Sequence, residues 1–235
     1  MAHPNLELLE QAAEALRPLL SEIVFVGGCV TALHITDPAA APVRITNDVD
    51  VVSEITSYGE YVVFSERLRG MGFEEDASDG APVCRWRRGP LILDVMPLDE
   101  RILGFSNRWY ADALRSAAVI QLKSGLSLKV APAPHFLATK LEAFRGRGKG
   151  DYFTSHVLED LIAIVDGRES IVDDVTSAHD GLKTFITEGI QLLIADPRFI
   201  DALPGFLLPD EASQGRVTLL LDRLGNLARL RRSSV

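Results

Sequence analysis

The sequence predicts an α+β protein, with strands confined to the first 132 residues and helices filling the rest. Short β-branched and aromatic runs, each closed by Gly, Pro or polar turn residues, recur between residues 22 and 130. Apolar residues at helical spacing dominate from Pro134 onward. No internal repeat or low-complexity tract interrupts either part. The chain is therefore divided into an α/β core, residues 1–132, and a helical C-terminal region, residues 133–235.

Leu and Ala recur at helical spacing from Asn5 to about Leu20, which predicts an amphipathic helix capped by Asn5. "EIVFVGG" reads as a buried strand ending in a tight turn, and "CVTALHI" as a short helix after it. "TDPAAAPVRITN" is a Pro- and Ala-rich loop, and "DVDVVSEI" is the next strand. "YGEYVVFSERLRGMGF" is a helix ending at Gly70 and Gly72. Gly89 and Pro90 separate the strands "APVCRWRR" and "LILDVMPL" as a hairpin would, and strands near Ala118–Leu122 and Leu126–Val130 complete the β-rich part. "PHFLATKLEAFRGRG", with Pro134 at its start, and "TSHVLEDLIAIVDGR" are helices.

Composition narrows the function classes. At 235 residues, 47% hydrophobic and 24% charged, the chain reads as a soluble globular protein of one large domain or two small ones. A net charge of −9 argues against a broad nucleic-acid surface, because phosphate contacts require clustered Lys and Arg. Basic residues do gather at Arg85, Arg87 and Arg88, at Arg145, Arg147 and Lys149, and at Arg223, Arg229, Arg231 and Arg232; each group reads as solvated charge. Cys29 and Cys84 lack zinc-ligand spacing and read as core residues. The first twenty residues mix acids with leucines and form neither a signal peptide nor a membrane span, so a cytoplasmic location is expected.

Chemistry concentrates in "VRITNDVDVV". Side chains alternate along a strand, so Asp48 and Asp50 share one face and can reach one cation. Asp94 lies in the apolar run "LILDVMP", where an isolated charge is costly. If those two strands are neighbours, the three carboxylates converge as hard ligands for Mg²⁺, with room for two ions about 3.5–4 Å apart. The same aspartates at a strand end can also cap backbone amides. Gly27 and Gly28 let backbone amides approach a phosphate, or form a tight turn. Asp160 sits among Val157, Leu161 and Ile164 and needs a partner, for which His156 stands one turn earlier. Lys140 can be a solvated helix lysine, and Arg44 can pair with an aspartate or meet a triphosphate.

At these residues the chain resembles the nucleotidyltransferase superfamily, whose signature is a glycine pair after the first strand, then Asp-x-Asp, then a third acid on a later strand. "GGCVTALHI" followed by "RITNDVDVV" is similar to the AbiEii-type branch, which includes the MenT toxins; Arg44, Thr46, Asp48 and Asp50 fill its Arg-x-Thr/Ser-x-Asp-x-Asp pattern. "TKLEAFRGRGKGD" and "LEDLIAIV" resemble its later basic and acidic motifs, and the resemblance spans about residues 22–167. It implies a mixed sheet with helices, and a transferase moving a nucleoside monophosphate from a nucleoside triphosphate to an acceptor hydroxyl with release of pyrophosphate. Gly27, Gly28, Arg44, Thr46, Lys140 and Asp160 would bind the nucleotide, with Asp151 competing with Asp160 for the acidic motif. Asp48, Asp50 and Asp94 would hold two Mg²⁺, Asp94 being the third ligand or the base. The acceptor would lie on tRNA, a small molecule or a protein, no membrane would be involved, and an antitoxin would be the partner if the protein is a toxin of that kind. The alternative is a non-catalytic protein that keeps the fold and binds a nucleotide or a partner.

Overall fold

The computed structural model describes residues 3–147 and 150–230. The first helix, α1 (Pro4–Ala15), starts at a proline, whose fixed φ and missing N–H suit the first helical position. That start displaces the expected cap. His3 rather than Asn5 caps the helix, its Nδ1 accepting the Asn5 backbone N–H at 3.2 Å, and Asn5 is fully buried inside the first turn. Strand β1 (Ile23–Val26) runs into Gly27 and a 3-10 turn at Gly28–Val30, followed by α2 (Thr31–His34). The loop of residues 35–47 leads to β2 (Asp48–Ser53). Ser57 and Glu60 form a capping box that starts α3 (Tyr58–Gly70). The short strand β3 (Glu74–Glu75) precedes the hairpin of β4 (Arg85–Arg88) and β5 (Leu91–Met96), which turns at Gly89 with φ +58. After α4 (Glu100–Leu103) and α5 (Tyr110–Arg115), β6 (Ala118–Gln121) and β7 (Ser127–Val130) form a second hairpin. β3, α4 and α5 carry no sequence signal of their own, because each is shorter than two turns of helix or a full strand repeat.

The seven strands form one mixed sheet in the order β3-β4-β5-β2-β1-β7-β6, as an α+β architecture requires. β2 pairs with β5, and β1 with β7, in parallel; the other neighbours are antiparallel. One face packs Val24, Val26, Val52 and Met96 against Ala113 of α5, with Cys84 and Ala131 in the same cluster. Both cysteines are buried thiols, and neither forms a disulfide.

The helical region consists of α6 (Ala133–Arg147), α7 (His156–Gly167), α8 (Ile171–Thr176), α9 (Asp180–Ile194), α10 (Pro197–Ala202), α11 (Glu211–Gly215) and α12 (Val217–Leu227). By packing, the chain divides into one unit of Met1–Ala32 with Ile45–Pro132 and another of Leu33–Arg44 with Ala133–Val235. Within the second, Gly189 lets α9 approach α6 closely; a Cβ there would meet Leu141 Cδ1 at 2.8 Å. Residues 33–44 group with the helices because Thr36 and Asp37 both donate their N–H to the Gly167 carbonyl at 2.9 Å, satisfying an orphan acceptor at the end of α7. Arg216 secures the same loop, with Nη2 2.7 Å from Asp37 and Nε 2.9 Å from Asp166. Of the basic clusters, the Arg147 side chain, Lys149, Arg231 and Arg232 lie outside the described residues.

Candidate functional site

Sheet register decides where the acids stand. β2 pairs with β5 so that Asp50 lies opposite Asp94, β4 places Arg85 opposite Asp94, and β1 places Val26 opposite Asp50. Arg85, Asp94, Asp50 and Val26 therefore form one row across four strands, with Asp48 two residues along β2 on the same face. Further along that face the side chains are apolar, Val24, Val52 and Met96 lying beneath α5, so the carboxylates stand where the hydrophobic cluster ends.

Arg85 joins two of them. Its Nε donates to Asp94 Oδ1 at 2.8 Å and its Nη2 to Asp94 Oδ2 at 2.7 Å, a bidentate pair. The same Nη2 reaches Asp48 Oδ2 at 2.9 Å. Asp94 is only 7% exposed and Arg85 20%, whereas Asp48 is 33% exposed. Hydrogen bonding to Asp94, then the charges of Asp94 and Asp48, holds the guanidinium's pKa above its ordinary value despite its burial. Arg85 is thus not the solvated charge that its neighbours suggest; Arg87 pairs with Asp76 at 2.6 Å on the exposed side, and Arg88 is exposed beside the Phe73 ring. Alternation in "RWRR" puts Trp86 in the core on the opposite face, while Arg87 shares the face of Arg85 but lies two residues further along, opposite Ile92. Burial, with the nearby charges of Asp94 and Asp50, pushes the Cys84 thiol up to about 12, so it stays protonated at neutral pH and offers no nucleophile.

Gly27 and Thr46 position the β2 aspartates. Gly27 has φ +72, and a Cβ there would fall 1.8 Å from Asp50 Oδ2, so only glycine admits that carboxylate to the turn. Thr46 Oγ1 donates to Asp48 Oδ1 at 2.6 Å. Asn5 ties the two segments together. Its Nδ2 donates to the Gly28 carbonyl at 3.5 Å and its Oδ1 accepts the Thr46 N–H at 3.1 Å, a bridge from inside α1 that its position in the sequence disguises as a helix cap.

Arg44, Lys140 and Asp160 come together within the helical unit. Lys140 Nζ lies 2.5 Å from Asp160 Oδ2, and Arg44 Nη2 lies 3.2 Å from the same oxygen. Asp160, 3% exposed, is thereby neutralised by two cations, while Arg44 Nε also approaches Glu159 at 3.5 Å. His156 does not supply the expected partner: its ring is exposed and pairs with Glu159 at 3.1 Å, because Asp160 turns inward from the next position on the helix. Asp151 is exposed and accepts the N–H groups of Phe153 and Thr154 within its own turn.

The carboxylates of Asp48, Asp50 and Asp94 are hard anionic oxygen donors, the chemistry that suits a divalent cation such as Mg²⁺; Asp48 and Asp94 converge on one cationic nitrogen, while Asp50 turns toward Gly27. No family model matches the chain, and no curated protein matches it. Among solved structures it is similar to an antigenic nucleotidyltransferase-like protein from Paracoccidioides brasiliensis, with 17% identity over 86% of this chain and 93% of that one and a TM-score of 0.49. It is also similar to JHP933 from Helicobacter pylori, with 12% identity over 95% of this chain and 92% of that one and a TM-score of 0.46. Identities and TM-scores this low bring no residue role to this chain, whose functional reading rests on its own side chains. Among the described residues no helix is long and apolar enough to cross a membrane.

Gly27→Ala is expected to destabilise the protein by about 1–3 kcal/mol, the cost of a strained backbone, in urea unfolding; an unchanged midpoint would mean that Asp50 has another place to go. Asn5→Ala leaves the buried Thr46 N–H without its acceptor and is expected to cost about 1–3 kcal/mol. Full retention of stability would remove Asn5 from the support of this site.

Proposed function

We propose that the protein is a Mg²⁺-dependent nucleotidyltransferase that moves a nucleoside monophosphate from a nucleoside triphosphate to an acceptor hydroxyl and releases pyrophosphate. The observation that carries this reading is the convergence of Asp48 and Asp94, from strands far apart in sequence, on one positively charged group. Asp48, Asp50 and Asp94 would hold the metal, two ions in the fullest form of the site. Bound there, Mg²⁺ would neutralise the triphosphate and activate the acceptor hydroxyl. The chain's own contributions are positional. Thr46 fixes one oxygen of Asp48, Gly27 admits Asp50 to the turn, and Gly28 presents backbone close to where a phosphate would lie. Asp94, the most buried of the three, is assigned the third ligand position or the role of base. Lys140, with Arg44 and Asp160, is assigned to nucleotide binding, a lysine ammonium being a point charge suited to phosphate.

The acceptor is assigned to a small molecule or a protein in preference to a tRNA end, because a chain of net charge −9 has little to offer a polyanion. Action in the cytoplasm, as a toxin of the AbiEii/MenT kind restrained by an antitoxin, is a narrower form of the same proposal. A second reading is favoured by Arg85: with Asp48 and Asp94 already neutralised, the acids can serve as a structural ion pair in a non-catalytic nucleotide- or partner-binding protein.

Calorimetric titration of the four nucleoside triphosphates, with Mg²⁺ and with a chelator, separates the two readings. Binding that needs Mg²⁺ and disappears in Asp48→Ala/Asp50→Ala is expected of the transferase; metal-independent binding, or none, favours the second. Lys140→Ala is expected to weaken triphosphate binding about tenfold while sparing the metal, and unchanged affinity would return Lys140 to a purely structural pairing with Asp160.

A further inference from the structure

Every oxygen of Asp48 and Asp94 already has a donor. Both Asp94 oxygens receive Arg85, one Asp48 oxygen receives Arg85 and the other receives Thr46. Mg²⁺ binds carboxylate oxygen at about 2.0–2.1 Å, here on oxygens that already accept from a guanidinium at 2.7–2.9 Å. Two positive charges at that separation repel each other within a partly buried site, where solvent screens them weakly. Adding the metal while the guanidinium stays in place is therefore costly.

We propose that Arg85 is a resident counter-cation that exchanges with the metal: guanidinium and divalent ion occupy Asp48 and Asp94 in alternation. The inference rests on the reading of these acids as a metal seat and adds how that seat is regulated. In the metal-free protein Arg85 neutralises a buried carboxylate that would otherwise be uncompensated, so the sheet keeps its register with no ion bound. The exchange lowers the affinity for bare metal. It also frees a planar, five-donor group beside the site when the metal enters.

The test is metal binding, read without turnover. Mn²⁺ affinity is measured by calorimetry and by electron paramagnetic resonance of free Mn²⁺ for the wild type, for Arg85→Gln and for Arg85→Gln/Asp48→Ala/Asp50→Ala, with circular dichroism to establish that each is folded. Arg85→Gln is expected to bind Mn²⁺ at least tenfold more tightly than the wild type, with the gain lost in the triple variant. Binding by wild type and Arg85→Gln with equal affinity, or tighter binding by the wild type, overturns the exchange and leaves the metal seat standing. No binding by either overturns the seat and the exchange with it. If Arg85→Gln fails to fold, the wild type decides alone: in ¹⁵N NMR the hydrogen-bonded Arg85 Nε–H is expected to shift and exchange faster with solvent as Mg²⁺ perturbs the Asp48 and Asp50 amides. An Arg85 signal that stays unchanged while those amides move overturns the exchange, and amides that do not move at saturating Mg²⁺ overturn the seat.

Discussion

The parallel register of β2 against β5 is the constraint on which the sheet's chemistry depends. It sets Asp50 opposite Asp94, and the β4 hairpin then sets Arg85 opposite Asp94 in the same row. A slip of one residue would turn every β2 side chain to the other face, separating Asp48 and Asp50 from Asp94 and exposing Val49 and Val51. The apolar cost of that slip protects the register, since Val49, Val51, Leu93 and Val95 are all buried. Hydrophobic alternation thus holds the acids in place although it contributes nothing to their chemistry.

In each unit a buried carboxylate is neutralised by cations that the fold brings to it. Asp94 is met by Arg85, and Asp160 by Lys140 and Arg44. A buried carboxylate left alone would take up a proton or force its surroundings open. Both carboxylates instead keep a counter-charge within ion-pair distance. Such pairs add little net stability against an apolar alternative of the same volume, whereas removing one partner leaves a buried charge uncompensated.

The support around the acids is polar and local to the first unit. Asn5 spans from α1 to the Gly28 carbonyl and the Thr46 amide, and Thr46 in turn grips Asp48. Because Asn5 is fully buried, these bonds have no water to replace them, so α1 holds the site through one side chain as well as through its apolar face.

By itself the sequence determined the class of architecture, the identity and order of the longer elements, the shared face of Asp48 and Asp50, the turn at Gly27 and the core role of both cysteines. These follow from periodicity and residue type within a few neighbours, where backbone geometry leaves few choices. What only the tertiary structure decided is who meets whom. Arg85 sits on two acids although its neighbours Arg87 and Arg88 face outward, and Asp160 takes Lys140 and Arg44 instead of His156. Asn5 leaves the cap to His3 and bridges two loops, and residues 33–44 pack with the helices that follow them by nearly a hundred residues. Apart from the His3 cap and the Arg85–Asp94 pair across its hairpin, those pairings span long stretches of chain, where strand register and helix packing bring together side chains that no local spacing relates.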